Sequence, residues 1–197
     1  MSDMRITLDL AKPMPEPGVF FEGGEGFQKD WPSPLFLSDD EYARILEAFP
    51  RACSDVIAVR PESKSFLLAK RKHYSALGVW AFGGGQRMGE TPREAAARLM
   101  KREIGVNLLP EDFQFLGLSV SFWIHRNPEP QQRGEHGIIF TFVFVPTTKE
   151  LQTISQSLDP EEYDLEHGIC AYTLADLESL KESHKVKLIE HWHAVFG

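Results

Sequence analysis

Residues 84–106 read GGQRMGETPREAAARLMKREIGV, and no other stretch of the chain says as much about its structure. The apolar run at residues 78–82 comes just before it and predicts a strand. The glycines at 83–85 then predict a tight loop, because residues without a side chain let the backbone approach a ligand closely.

A helix is predicted directly after this loop. Thr91 and Glu94 have the spacing of a capping box, and Pro92 stands at the first helical position. The alanine-rich residues that follow are strong helix formers, and Gly105 is a natural end for the helix. The whole stretch therefore predicts a strand, a glycine loop and a helix.

Two interpretations of the charges on this helix are open. Leu99 and Glu103 are four residues apart and share a face, so Glu103 can project toward the glycine loop. The alternative is an ordinary solvated face formed by Glu94, Arg98, Lys101 and Arg102. The glycine spacing and Glu90 favour the first interpretation.

The stretch resembles the Nudix box, G-x5-E-x7-R-E-U-x-E-E-x-G-U, in which U is a bulky aliphatic residue. Leu99 and Arg102 stand where the box has two of its acids. The resemblance implies an α/β (α+β) Nudix fold, a mixed β-sheet sandwiched between helices, in residues 36–197, with an N-terminal arm at residues 1–35. The positions that fit the box at the right spacing are Gly84, Glu90, Arg98, Met100, Glu103, Gly105 and Val106.

The composition limits the size and the partners of the protein. A chain of 197 residues with 42% hydrophobic content can bury the core of one domain. The net charge of −8 disfavours nucleic acid and anionic membranes as partners. Cys53 and Cys170 stand among apolar residues and are expected to be buried filler. No spanning segment or signal-peptide core is recognised, so a cytoplasmic location is expected.

Other elements follow from local patterns. Ser38 and Glu41 form a second capping box, which predicts a helix at residues 39–48. The arm contains Phe20, Phe21, Phe27 and Trp31, which could cover this chain or a second subunit. Strands are predicted at 4–10, 55–59, 65–69, 79–82, 113–124, 137–145 and 167–171, and further helices at 149–157, 173–182 and 183–195.

Beyond the box, residues 36–42, 54–57, 66–71 and 98–105 are similar to GDP-mannose mannosyl hydrolase, a Nudix subfamily that lacks the same two acids. The similarity implies Mg²⁺-dependent hydrolysis of a nucleoside diphosphate sugar, in which water attacks the anomeric carbon and the nucleoside diphosphate leaves. One Mg²⁺ is enough to stabilise such a leaving group. The similarity and the aromatic arm also lead us to expect a homodimer.

The similarity further implies a metal site and a base. Glu103, Glu135 and the backbone carbonyls of Gly83 and Gly84 are the predicted ligands of Mg²⁺, for which Mn²⁺ could substitute. His136 matches the catalytic histidine of the subfamily and would take a proton from water. The alternative for this histidine is a surface residue beside a loop.

The remaining predicted site residues bind the substrate. Arg71 and Arg98 are candidates for the charge of the diphosphate, although Arg98 could instead be held in a structural salt bridge with Glu90. Asp55 matches a position near the sugar, and His125 could contact a phosphate. The subfamily has an arginine just after its glycine pair, and here Arg87, one or two positions away, must substitute for it.

Two alternatives to this reaction remain. An ordinary Nudix pyrophosphohydrolase would break a phosphoanhydride bond and release a nucleoside monophosphate, with other acids supplying the lost ligands. A catalytically decayed binding module would bind a nucleotide without turnover.

Overall fold

One mixed sheet of seven strands lies between two layers of helices in a computed structural model that describes residues 5–19, 37–154 and 156–197. The strands are β1 (Arg51–Arg60), β2 (Ser65–Arg71), β3 (Gly78–Trp80), β4 (Phe82–Gly85), β5 (Gln114–Trp123), β6 (Glu135–Phe144) and β7 (Ile169–Tyr172). The helices are α1 (Asp39–Ala48), α2 (Pro92–Ile104), α3 (Thr148–Ile154), α4 (Leu174–Ser179) and α5 (Lys185–Phe196). The predicted α/β architecture with a mixed sheet is confirmed.

Strand β1 lies at the centre of the sheet. The strand order is β3-β2-β1-β6-β5, β1 also pairs with β4, and β2 also pairs with β7. The pairing of β1 with β6 is parallel, and the other pairings are antiparallel. As a result β4 and the start of β6 lie beside the first half of β1, whereas the start of β2 pairs with its second half.

The core is split between the two faces of the sheet. Successive side chains of a strand point to opposite faces. Val56 and Ala58 of β1 therefore pack with Leu99 and Met100 of α2 in one cluster. Ile57, the next residue along, packs in the second cluster with residues of α4 and α5. Both faces are apolar, which explains the long buried run in β1.

The box helix α2 forms as predicted. The Thr91 hydroxyl accepts a hydrogen bond from the backbone N–H of Glu94, and the Glu94 carboxylate accepts one from the N–H of Thr91 at 2.7 Å. Pro92 is the first helical residue. Gly105 ends the helix at φ = 70°, a left-handed conformation that glycine adopts without strain.

Replacing Thr91 with alanine is expected to lower the free energy of unfolding by about 1 kcal/mol, because the N–H of Glu94 loses its capping partner. Urea denaturation monitored by circular dichroism measures this change. The matched control is Thr91→Ser, which keeps the hydroxyl and is expected to keep most of the stability. Equal losses in the two variants would contradict the capping role.

Two local predictions are wrong. Residues 5–10 form no strand. The side-chain amide of Gln114 instead takes the place of a partner strand, since it accepts from the N–H of Leu8 at 2.6 Å and donates to the carbonyl of Leu8 at 2.9 Å. The glycines at 83–85 are not a loop but belong to β4, which pairs with β1. The turn follows at residues 86–91.

Several predicted boundaries also shift. The helix predicted at 173–182 ends at Ser179, and the helix predicted at 149–157 ends at Ile154. The helix predicted from residue 183 begins at Lys185. Capping box chemistry marks the start of a helix in the sequence, whereas its end depends on what it packs against.

Part of the predicted arm can be described. Arg5 forms salt bridges with Asp112 and with Glu150, and Glu16 forms one with Arg93 at 2.5 Å. The four predicted aromatic residues of the arm lie outside the described residues. The division at residue 35 therefore stays a prediction. No helix in the described part is long and apolar enough to span a membrane.

Candidate functional site

A cavity of about 130 Å³ opens where β1, β2, β4 and β6 meet. It brings together charges of both signs from distant parts of the chain. The charged residues that line it are Arg51, Asp55, Arg71, Glu135 and Glu162. The aromatic residues that line it are Tyr42, Tyr74, Trp80 and Trp123. A cavity of this kind can hold an anionic, hydroxyl-rich ligand and can move a proton.

Asp55 is a buried acid in this cavity. Its Oδ2 accepts a hydrogen bond from the indole N–H of Trp80 at 3.0 Å. Burial raises its pKa to about 6, against an ordinary value of 3.8. A carboxyl group that titrates near neutral pH is suited to general acid–base chemistry.

Gly83 is required beside Asp55. Its φ is +151°, and a Cβ at this position would lie 2.4 Å from the carbonyl oxygen of Ser54 and 2.5 Å from Oδ1 of Asp55. Any side chain here would push β4 away from β1 and disturb the cavity wall.

Arg71 is a half-buried cation that also lines the cavity. It forms a salt bridge with Glu162 at 3.2 Å, and its guanidinium carbon lies 6.0 Å from the centre of the Tyr163 ring. Its buried Nε has no hydrogen-bond partner among the described residues. A buried N–H without a partner is costly, so this atom is available to an oxygen of a ligand.

Glu135 is held at the start of β6. Its carboxylate accepts a hydrogen bond from the hydroxyl of Ser75 and lies 3.5 Å from the guanidinium of Arg51. Arg51 in turn packs over the ring of Tyr42. Glu135 and Asp55 thus belong to the same cavity, although 80 positions of sequence numbering separate them.

Glu103 of α2 is fully buried and is the centre of a hydrogen-bond network. One of its oxygens accepts from the backbone N–H of Gly83 at 2.9 Å and from the hydroxyl of Tyr163. Its other oxygen accepts from the guanidinium of Arg102 at 2.6 Å. Burial and the nearby Glu103 raise the pKa of Tyr163 well above its ordinary value, so the phenol remains a neutral donor.

A second, more open cleft adjoins the cavity. Tyr42 and Arg51 line both of them, and we refer to the two together as the groove. No aspartate or glutamate lines the second cleft. Its arginines come from β1, from the turn after β4 and from α2, and they are Arg51, Arg87, Arg98 and Arg102. We call this part of the groove the arginine cleft.

Arg98 and Arg87 lie in the arginine cleft. Arg98 donates to both oxygens of Glu90, at 2.8 Å for the longer contact, and to the carbonyl of Gly85 at 3.0 Å. The predicted structural salt bridge with Glu90 is therefore present. The side chain of Arg87 is exposed beside it, while its backbone N–H donates to Glu90 at 2.8 Å.

The two predicted histidines lie outside the cavity. His136 stacks on Phe122 with ring centres 4.5 Å apart, and it lines a separate cleft with Leu46 and Arg133. It lies between Glu135 and Gly137 on β6, and both of these line the cavity, so the strand turns His136 to the other face. His125 packs against Tyr74, which does line the cavity.

The predicted metal ligands fit a divalent ion poorly. Both oxygens of Glu103 are occupied by donors, and both oxygens of Glu135 have partners. Gly83 and Gly84 are paired with β1 inside the sheet. Within the described residues, no group of three or more His, Cys, Asp or Glu side chains is arranged to hold a metal ion. An ion bound to Glu103 would have to displace Arg102.

Sequence reasoning missed several residues of the groove. Arg51, Ser75 and Glu162 stand in no motif, and only the tertiary structure brings them to the cavity. Tyr163 also stands in no motif, and it reaches Glu103 from a distant part of the chain. The sequence predicts Arg102 as a replaced acid of the box or as part of a solvated face, and it does not predict the ion pair with Glu103. Its position in the box, one residue before Glu103, was the signal that could have suggested an ion pair. Cys53, although it lines the cavity, has a pKa raised to about 11 by burial, so its thiol is protonated.

Comparison with known proteins supports the fold. Among solved structures, the MutT NUDIX hydrolase from Burkholderia pseudomallei is 19% identical with a TM-score of 0.54, and the match covers 73% of this chain and 98% of that chain. The NUDIX domain of Shewanella oneidensis NrtR, complexed with ADP ribose, is 16% identical with a TM-score of 0.50, covering 79% of this chain and 96% of that one.

A third structure contains a metal. It is a bifunctional NMN adenylyltransferase/ADP ribose pyrophosphatase from Francisella tularensis, complexed with AMP and a manganese ion; it is 19% identical with a TM-score of 0.46, and the match covers 77% of this chain and 45% of that chain. At these identities the structural matches establish the fold alone.

The family model places the chain more firmly. A search of the curated proteins found no match. The model of the NUDIX domain, however, matches residues 50–192, which include β1, the box helix and the whole of the groove except Tyr42 and its neighbours on α1. Because this match spans well over half of the chain, the protein belongs to the NUDIX domain family, that of the Nudix hydrolases.

Proposed function

We propose that the protein hydrolyses a nucleoside diphosphate sugar, GDP-mannose or a similar compound, to the nucleoside diphosphate and the free sugar. The observation that carries the proposal is the cavity itself, which is lined by two arginines and three carboxylates. Arginine forks bind phosphate oxygens, and buried carboxylates bind hydroxyl groups and accept protons. The adjoining arginine cleft provides room for the rest of a nucleotide.

The reaction requires a proton acceptor and a stabilised leaving group. Water would attack the anomeric carbon, the bond from that carbon to the phosphate oxygen would break, and the water would lose a proton to a carboxylate. Asp55 is the best placed acceptor, since burial brings its pKa to about 6. Arg51 and Arg71 would stabilise the departing diphosphate.

The predicted base His136 and the predicted phosphate contact His125 stay predictions. The position of His136 favours a carboxylate of the cavity as the base, because His136 stacks on Phe122 and does not line the cavity. The two assignments predict different results. If Asp55 is the base, a variant of Asp55 should lose far more turnover than a variant of His136. If His136 is the base, the reverse is expected.

The predicted Mg²⁺ or Mn²⁺ carries no step of this proposal, because the carboxylates that would bind it are already engaged. The homodimer and the cytoplasmic location predicted from the sequence also stay predictions.

A second candidate function is hydrolysis of a phosphoanhydride bond. ADP-ribose is the ligand of the NrtR structure, whose fold is similar. Its terminal ribose is attached through the 5′-oxygen, so the diphosphate of this compound is opened by attack at phosphorus. The loss of two box acids weighs against this reaction, since attack at phosphorus benefits most from several bound cations.

Hydrolysis in ¹⁸O-labelled water separates these reactions. The purified protein is incubated with GDP-mannose and with ADP-ribose, with Mg²⁺ and with EDTA, and the products are analysed by mass spectrometry. We expect the label in free mannose, with unlabelled GDP. Label in a phosphate would move the protein to the pyrophosphohydrolases. Tight binding of both compounds without any product would favour a binding module and would contradict the proposal.

A further inference from the structure

We propose that Arg102 stands in for a divalent metal ion, so that the groove binds the diphosphate of its ligand through arginines and needs no bound cation to do so. The inference deepens the proposed function and rests on it for the nature of the ligand, a nucleoside diphosphate. It concerns how the anion is held, and it adds Arg102 to Arg51 and Arg71, which the proposed function already assigns to the diphosphate.

The first observation is that Arg102 is the exposed donor among those described for the buried carboxylate of Glu103. The other two donors to this carboxylate, the N–H of Gly83 and the hydroxyl of Tyr163, are buried. The side chain of Arg102 is 44% exposed, whereas that of Glu103 is 0% exposed. A cation arriving from solvent therefore meets a guanidinium before it can reach the carboxylate.

The second observation is that the other box acid is also engaged. Glu90 accepts hydrogen bonds from two nitrogens of Arg98. Leu99 and Arg102 replace two acids of the box. Each carboxylate that remains in the described part of the box is bonded to an arginine or takes part in a helix cap, so none is open to a metal ion. A hard cation such as Mg²⁺ needs oxygen ligands, which these residues do not provide.

The third observation is the convergence of two positive charges. Nη2 of Arg51 and Nη2 of Arg102 both lie 3.8 Å from the position that a Cβ of Gly84 would occupy. A Cβ on Gly85 would lie only 2.8 Å from Nε of Arg51, so the glycines make room for this approach. An anion bound between the two guanidinium groups would lower their mutual repulsion.

The charges that line the arginine cleft favour a ligand that carries more than one negative charge. The chain has a net charge of −8, yet four arginines and no acid line the arginine cleft. Glu90 and Glu103 offset two of these charges. The positive charges of Arg51 and Arg87 remain, although Arg51 also lies 3.5 Å from the carboxylate of Glu135. Guanidinium groups bind phosphate oxygens with two parallel hydrogen bonds, so the four arginines of the cleft are suited to a diphosphate.

The first test measures the binding of GDP and of ADP by calorimetry, once with Mg²⁺ and once with EDTA. We expect the dissociation constant for at least one of the two to change by less than about twofold when the metal is removed. Arg102→Ala is expected to weaken that binding by about tenfold or more, because a charged hydrogen bond to phosphate is lost. Lys101→Ala is the matched control, since it removes a neighbouring exposed charge from the same helix, and it is expected to have little effect.

The second test restores the box. Arg102→Glu replaces the guanidinium with the acid that the family pattern has at this position. We expect this variant to bind Mn²⁺, measured by the loss of the free-ion signal in electron paramagnetic resonance, and the unaltered protein not to bind it. Lys101→Glu makes the same change of charge one residue away and is expected not to create a site. The thermal unfolding of each variant checks that it is folded.

The outcomes separate this inference from the proposed function. A protein that binds GDP and ADP only with Mg²⁺, or that binds them equally well after Arg102→Ala, would overturn the inference while hydrolysis of the sugar substrate could still be observed. Stoichiometric Mn²⁺ binding by the unaltered protein would also overturn it. If the protein binds GDP in EDTA but releases no sugar or phosphate product from GDP-mannose or ADP-ribose, only the proposed function is overturned.

Discussion

Replacing Glu103 with alanine is expected to lower the free energy of unfolding by about 3–5 kcal/mol, the usual cost of breaking a buried charged pair. The variant leaves three donors without their acceptor, namely the N–H of Gly83, the hydroxyl of Tyr163 and the guanidinium of Arg102. Two of these are buried, and a buried donor without a partner costs free energy that water cannot repay. Urea denaturation at neutral pH measures the change.

Two further variants test the cause of this loss. Glu103→Gln keeps the volume and one acceptor oxygen, so we expect it to lose less stability than the alanine variant. Glu111→Ala removes an exposed glutamate from the connection before β5, and its effect is expected to stay within about 0.5 kcal/mol. A loss of less than about 1 kcal/mol in Glu103→Ala would show that the network does not stabilise the fold.

Replacing Asp55 with asparagine is expected to lower the rate of hydrolysis by about 10²- to 10⁴-fold, the range typical of removing a general base. The variant keeps the size of the side chain and an oxygen that can accept from the indole N–H of Trp80. Binding of the nucleoside diphosphate should change little. The rate with saturating GDP-mannose and the dissociation constant of GDP are measured separately.

The same variant is expected to become more stable at neutral pH. The pKa of Asp55 is about 6 in the folded protein and 3.8 for the ordinary group, so between these values the folded state binds more protons than the unfolded state. The stability of the unaltered protein therefore falls as pH rises through this window, by about 3 kcal/mol at most for this group. Asp55→Asn should show its largest gain above pH 6 and little gain near pH 4.

His136→Ala is the control for the catalytic assignment. If it abolishes hydrolysis while Asp55→Asn retains it, the base predicted from the family resemblance is the right one, and the cavity carboxylates bind substrate instead. A gain in stability for Asp55→Asn that does not depend on pH would contradict the assigned pKa.

The starts of helices α1 and α2 could be predicted from the sequence because capping is local. Ser38 and Thr91 each bond to a residue three positions later, and no distant part of the chain is needed. The strand expected at residues 4–10 failed for the opposite reason, since Gln114, far along the chain, satisfies the backbone of Leu8. Alternation of apolar residues cannot reveal such a partner.

The sequence by itself determined the family, the box helix and the loss of two acids, since all three depend on residue types at short spacings. Only the tertiary structure decided what replaces those acids. The parallel pairing of β1 with β6 and the antiparallel pairing of β1 with β4 bring Arg51 and Glu135 to the cavity and Gly83 to Glu103. Arg102 was visible in the sequence as a substitution, but its contact with Glu103 depends on where the fold buries that carboxylate. Side chains that meet through strand pairing have no fixed spacing along the chain, and for this reason the sequence could identify the box but not the arginine cleft.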